Sequence, residues 1–176
     1  MELYLLSIEE IKKLPDEILM CKAPANFSGW KSDDGYCDWW LRSPGDYDIY
    51  AACVFGENGD VYHAEYCVIE EFAVRPALRL KSDISSLKRD NEGNVIYGKL
   101  PDGTDIRWID ISEYLGEPTL LMKECLPETR RYDKESNNYE TSEIKGYLDD
   151  FERKIFADEL GCCKNAPYGY EILSNF

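Results

Sequence analysis

Between Trp39 and Leu80 the chain alternates short β-prone runs with turn signals, and this punctuation limits what it can build. Trp39-Trp40-Leu41-Arg42-Ser43 reads as a short strand stopped by Pro44-Gly45, and Ala51-Ala52-Cys53-Val54-Phe55 as a second. Glu57-Asn58-Gly59-Asp60 carries the Asn-Gly hairpin signal, so Val61 to Tyr66 is expected as the return strand. Ala73 to Leu80 reads as a further strand in which Pro76, lacking an N–H, marks an edge or a bulge.

Further on, Ile106-Arg107-Trp108-Ile109-Asp110-Ile111 alternates, with Thr119-Leu120-Leu121-Met122 as its partner across Gly116-Glu117-Pro118. Two helices frame these strands. Ser7-Ile8-Glu9-Glu10 is a capping box, followed by Ile11 and Leu14 on one face and a stop at Pro15; Asp16 to Met20 adds a turn. From Ser142, residues Ile144, Tyr147, Leu148, Phe151 and Ile155 recur at helical spacing. Residues 22–35 read as a loop and 81–94 as a polar stretch with a turn at Asn91-Glu92-Gly93-Asn94, while the tail from Gly161 carries no assignable pattern. Short strands with two helices make an α+β chain. One domain over 1–176 is expected, with 81–105 as a linker, and the strands at 39–43, 73–80 and 106–111 are expected in one sheet under the 142–155 helix.

Thirty-five acids face twenty bases, a formal charge of −15. That field repels phosphate backbones and anionic membranes, so neither nucleic acid nor a membrane surface is an expected partner. The charge reads either as solubility spread over the surface or as acid concentrated where a basic partner docks. From Pro44 to Val74 there are seven acids (Asp46, Asp48, Glu57, Asp60, Glu65, Glu70, Glu71) and no lysine or arginine. No apolar run approaches the ~20 residues of a membrane span, and the first residues show neither a basic region nor a cleavage site. Seven cysteines, an odd number, fit a reduced cytoplasmic protein better than a disulfide scaffold.

Candidate chemistry is sparse. The lone His63 sits in a hairpin strand with no nucleophile nearby in sequence, so no catalytic residue is assigned. Cys53, His63 and Cys67, with Cys162-Cys163 as further sulfur, are the conceivable zinc ligands; without a C-x-x-C pair they read as small buried hydrophobes, and no metal or other cofactor is expected. Asp46-Tyr47-Asp48 and Asn58-Gly59-Asp60 offer too few oxygens for calcium and read as solvated turns. Of the pair Trp39 and Trp40, alternation puts one ring in the core and the other outside. Tyr47, Tyr50, Tyr62 and Tyr66 invite either a recognition reading or one of half-buried strand tyrosines. With Asp46, Asp48 and Glu70 they make the candidate partner-binding face, exposed, acidic and aromatic.

The frame Trp39-Trp40-Leu41-Arg42-Ser43-Pro44-Gly45, Ala51-Ala52-x-Val54, Asn58-Gly59-Asp60-Val61, Ala73-Val74-Arg75-Pro76-Ala77-Leu78 resembles an uncharacterised domain family of gut Firmicutes and their phages, with the signature W-W-L-R-S-P-G … V-R-P-A-L. Leu5-Leu6-Ser7-Ile8-Glu9-Glu10-Ile11 resembles that family's short helix upstream of the frame. The resemblance implies a C-type-lectin-like fold, related in style to formylglycine-generating-enzyme modules and to retroelement variable proteins. Ile106-Arg107-Trp108, Leu120-Leu121-Met122 and Tyr139 to Leu148 resemble the segment that normally precedes the frame, so residues 1–80 and 106–160 look circularly permuted. Such folds mostly bind, and with the acidic, tyrosine-rich face the expectation is a non-enzymatic binding module for a protein partner with a basic surface. The alternatives are a phage or mobile-element inhibitor of a host defence protein, acting as an acidic nucleic-acid mimic, and an enzyme of unknown type.

Overall fold

The computed structural model describes residues 1–156. In chain order it has strands β1 (Glu2–Tyr4), β2 (Trp39–Pro44), β3 (Ala51–Val54), β4 (Val61–Tyr62), β5 (Glu71–Ala73), β6 (Ala77–Arg79), β7 (Val95–Lys99), β8 (Asp105–Asp110), β9 (Thr119–Met122) and β10 (Thr129–Arg131). The helices are α1 (Ile8–Ile11), α2 (Asp16–Leu19), α3 (Ser112–Leu115) and α4 (Glu143–Ile155). The fold is α+β. One five-stranded sheet runs β1-β6-β9-β8-β7 and the other β10-β5-β2-β3-β4, antiparallel throughout except where β2 meets β5.

Each sheet draws on both halves of the sequence. β1 and β6 pair with each other, and β6 continues onto β9 through Ala77↔Leu121 and Leu78↔Leu120. The expected single sheet over 39–43, 73–80 and 106–111 is corrected here, because β2 and β8 lie in different sheets and 73–80 is divided between them. Pro76 is the reason. It lacks an N–H and holds the residue before it extended, so the ladder breaks and the chain crosses from β5 in one sheet to β6 in the other. The 81–105 stretch is likewise more than a linker, since it contains β7, paired with β8 through Val95↔Trp108. The return strand after Asn58-Gly59 stops at Tyr62 instead of running to Tyr66. Gly59, at φ +80°, makes the turn before it.

The capping box forms as read: Ser7 Oγ accepts from the Glu10 amide at 3.2 Å while Glu10 accepts from the Ser7 amide at 2.7 Å. Glu10 also takes the Arg42 guanidinium at 2.9 Å, tying α1 to β2. At the other end Ser142 caps α4, whose Ile144, Leu148, Phe151 and Ile155 are buried. Glu152 on that helix accepts the Leu3 amide at 3.0 Å and the Tyr139 hydroxyl accepts the Leu5 amide at 3.1 Å, so the edge strand β1 has its open donors covered. The turn expected from Asp16 to Met20 is the short helix α2, and α3 is a further short helix that was not expected.

Two cores result, on opposite faces of the central strands. Leu3, Leu5, Trp40, Cys53, Leu78, Trp108 and Leu120 pack in one with α4. Tyr4, Leu6, Trp39, Leu41, Val54, Ala77 and Leu121 pack in the other with α1, α2 and residues 21–37. Both tryptophans are therefore fully buried, which corrects the expectation that one faces outward. Alternation still sorts them, but into two cores instead of a core and a surface. The Trp39 indole donates to the Leu19 carbonyl at 3.2 Å and that of Trp40 to the Arg130 carbonyl at 2.8 Å, so neither N–H is left unpaired.

Candidate functional site

The expected aromatic face divides in two. At the β2–β3 connection Tyr47 is 68% exposed and meets the half-buried Tyr50 edge-on, ring centres 5.7 Å apart. The Asn137 side chain donates to the Tyr47 and Tyr50 carbonyls, both at 3.0 Å, and so clamps this turn from the 133–138 loop. Asp46 and Asp48 are exposed here, and Asp46 meets His63 Nδ1 at 2.8 Å. No serine or cysteine hydrogen-bonds His63 among the described residues. Gly45 is required by this closure: a Cβ there would lie 2.4 Å from the His63 carbonyl oxygen. Ile49 and Ile69 add exposed apolar surface on neighbouring segments, since the Val68 amide bonds the Ile49 carbonyl at 2.8 Å.

Tyr62 and Tyr66 do not join that surface. They are half-buried and pack on the α4-side core, Tyr62 stacked on Phe55 at 4.1 Å and Tyr66 edge-on to Phe72 at 5.0 Å. The reading of all four tyrosines on one exposed face is corrected accordingly. Strand pairing explains it: Tyr62 opposes Cys53 in the sheet, and Tyr50 bridges Cys67, which pulls the segment inward. Glu70 is exposed and accepts the Cys67 amide.

Tyr66 instead forms part of a cleft of about 300 Å³ lined by Trp30, Tyr36, Asp38, Phe55, Glu57 and Tyr66, with Ser32 and Asn58. Four aromatic side chains and two carboxylates line it, and no lysine or arginine does. Trp30 is 67% exposed, on the loop that sequence reading left without a role. The turn beneath it is fixed by the Ser32 hydroxyl, which accepts the Tyr36 amide at 3.1 Å. Burial raises the Asp38 carboxyl above its ordinary range, with the Gly56 amide, 3.1 Å away, pulling it back. Burial likewise raises the Tyr66 phenol. Lys22 already lies 5.1 Å from the centre of the Tyr36 ring, a cation on an aromatic face. A composition signal for Trp30 and Tyr36 was available in the aromatic, acidic stretch 27–40, but nothing local says that it folds against Phe55 and Tyr66.

The conceivable zinc set Cys53, His63 and Cys67 does not assemble. Cys53 is buried in β3, while His63 is exposed on Asp46. Among the described residues, the ligand atoms that do converge belong to Cys21, Cys37 and Cys125, all buried and all within 4.8 Å of one another. The carboxylates of Asp46, Asp48 and Asp60 form no such group. Cys162 and Cys163 lie outside the described residues. No sequence spacing signals the triad, because its members sit on three separate segments.

Residues 1–82 match the profile of a domain of unknown function, DUF6273. The match covers β1 through β6 and ends where β6 still needs β9 to complete its pairing. No curated protein and no solved structure matches the chain.

Proposed function

We propose that this chain, similar over residues 1–82 to an uncharacterised domain, is a non-enzymatic recognition module for a protein partner with a basic surface. The observation that carries the reading is the Trp30–Tyr36–Phe55–Tyr66 cleft with Asp38 and Glu57 on its wall and no base among its lining. Aromatic faces attract a lysine or arginine side chain, and the carboxylates add charge and hydrogen-bond acceptors. Tyr47, with Asp46, Asp48 and Glu70 around the β2–β3 end, supplies a second contact region. Around both, Asp48, Glu57, Asp60, Glu65 and Glu70 make no ion pair with lysine or arginine among the described residues, so their field is free to steer a basic partner.

Finer readings go with this proposal. The interleaving of β1 and β6 with β7, β8 and β9 supports a permuted order within a C-type-lectin-like arrangement of the W-W-L-R-S-P-G family. The free thiols at Cys21, Cys37 and Cys125 fit a reducing, cytoplasmic setting.

The test uses lysine-rich and arginine-rich peptides, followed by tryptophan fluorescence and calorimetry. Binding is expected to weaken with salt, and Trp30→Ala is expected to lose about 1–2 kcal/mol of it with little change in melting temperature. Tyr47→Ala measures the share of the second region. Basic peptides that bind Trp30→Ala and wild type equally well, or not at all, would sink the cleft reading.

A further inference from the structure

Cys21, Cys37 and Cys125 come from a loop start, a loop end and the segment after β9, yet their sulfurs meet. Cys37 Sγ lies 3.1 Å from Cys125 Sγ and 4.0 Å from Cys21 Sγ. The backbone fixes the first two side by side: the Cys37 amide donates to the Cys21 carbonyl at 3.0 Å, and the Cys21 amide to the Gly56 carbonyl at 2.9 Å. Gly56 allows this approach only because it lacks a side chain, since a Cβ there would stand 2.0 Å from the Cys37 carbonyl oxygen. Cys125 is held by the next residue, whose amide donates to the Val74 carbonyl at 2.8 Å. All three side chains are at most 1% exposed.

An independent feature sits beside them. Arg75 is 1% exposed and, among the described residues, has carbonyls and no carboxylate as partners. Its guanidinium donates to the carbonyls of Met122 at 2.9 Å, Ile18 at 2.8 Å, Leu19 at 3.2 Å, Met20 at 3.3 Å and Lys123 at 3.4 Å, and lies over the Trp39 ring. Met20 precedes Cys21, and Lys123 is two residues from Cys125, so the buried cation and the thiols share one neighbourhood. A buried charge without a counter-charge is costly, and among the described residues the thiols are the buried groups beside it able to carry negative charge.

We infer that Cys21, Cys37 and Cys125 form a binding site for one divalent thiophilic metal ion of the zinc class, with Arg75 as its buried counter-charge. Sulfurs sharing an ion at ~2.3 Å stand about 3.8 Å apart, so small side-chain adjustments complete the site. Binding forms three metal–sulfur bonds in place of three S–H bonds and releases the three thiol protons to solvent. Three thiolates and a divalent ion sum to one negative charge, which Arg75 cancels; a monovalent ion would leave a buried excess. A cleft of about 520 Å³, lined by Pro24, Met122, Lys123, Glu124 and Cys125, adjoins the triad on the Cys125 side. The ion pins the 21–37 loop, which carries Trp30 and Tyr36, to the point where the chain crosses between sheets. The inference runs against the sequence expectation of no metal. It stands or falls apart from the recognition reading, because its readout involves no partner.

The experiment is metal loading of the reduced full chain, with zinc measured by elemental analysis and cobalt(II) as the optical probe. Wild type is expected to retain about one equivalent of zinc through gel filtration, and its cobalt form to show thiolate-to-metal charge-transfer absorption. Cys125→Ser is expected to lose that absorption and at least tenfold in zinc affinity, whereas Cys53→Ser, buried outside the triad, keeps both. Should Cys125→Ser fail to fold, the melting temperature of wild type serves instead, expected to rise with zinc and fall with chelator. Less than about a tenth of an equivalent in wild type, retention of copper in place of zinc, equal loss in Cys53→Ser, or a Cys37–Cys125 disulfide in the reduced preparation would each overturn the site.

Discussion

Along the β1-β6-β9-β8-β7 sheet the carboxylates have bases to meet: Arg79 bridges Glu2 and Glu117, Arg89 meets Asp110, Arg107 meets Glu124, Lys99 meets Asp105 and Lys123 meets Glu92. On the other sheet, the β2–β5 strands and their loops carry seven carboxylates from Asp46 to Glu71; among the described residues Asp46 pairs with His63, Glu71 lies across the ladder from Arg131, and the other five make no ion pair. Both surfaces are exposed, and exposed ion pairs are worth only about 0–1 kcal/mol, so the difference has little to do with stability. What it sets is the field. One sheet presents balanced charge to solvent; in the other, β10 and β2 carry ion-paired arginines while the loops from Asp46 to Glu70 present unneutralised acid beside exposed aromatic rings.

The contrast is sharpened most by asking what holds each sheet. Trp39→Ala on β2 is expected to cost about 3–5 kcal/mol, because it empties a buried site and strips the face on which Arg75 rests. Arg107→Ala on β8, which removes the Glu124 pair, is expected to cost less than about 1 kcal/mol. Urea unfolding of the two variants compares them directly; similar losses would mean that the ion pairs carry more than their exposure suggests.

Next in size is the field itself. Neutralising Asp48, Glu57, Glu65 and Glu70 together, as Asn or Gln, is expected to slow association with a basic peptide about tenfold at low salt while melting temperature stays level. Neutralising Glu2, Glu117 and Glu124 on the other sheet is expected to leave association nearly unchanged. Stopped-flow rates at two ionic strengths decide it, and equal slowing in both variants would erase the distinction between the sheets.

The smallest expected effect is at Asp38. Its carboxyl is raised by burial, so it takes up protons more readily folded than unfolded; it costs stability above the raised value, and that cost fades as pH falls. Asp38→Asn keeps an acceptor for the Gly56 amide and removes the charge. The variant is expected to melt slightly higher than wild type at about pH 7 and to lose the gain by about pH 4. A lower melting temperature at neutral pH would show that the amide prefers the charged oxygen by more than burial costs.

Much of the local structure was legible in the residues. The Ser7–Glu10 box, the period of Ile144, Leu148, Phe151 and Ile155, the Asn58-Gly59 turn and the positions of β2, β3, β8 and β9 are written in interactions between near neighbours. β7 was missed because Val95-Ile96-Tyr97 is brief and embedded in polar turns, and its strand character comes from pairing with β8. The acidic stretch was legible too, being plain composition, but the exposed ring that matters most in the cleft, Trp30, sits in a loop whose neighbours in space are Phe55 and Tyr66.

By itself, then, the sequence determined the Ser7–Glu10 cap, the helical period of 144–155, the Asn58-Gly59 turn, the sign of the surface charge and the two-residue alternation at Trp39 and Trp40. Only the tertiary structure decided that both faces of β2 are buried, that Pro76 hands the chain from one sheet to the other, and that Cys21, Cys37 and Cys125 share a pocket with Arg75. The physical reason is range. Caps, turns and periodicity are set by contacts a few residues apart, whereas a buried neighbour 88 residues away in sequence, as Cys125 is to Cys37, is chosen by which strands pair and in what register.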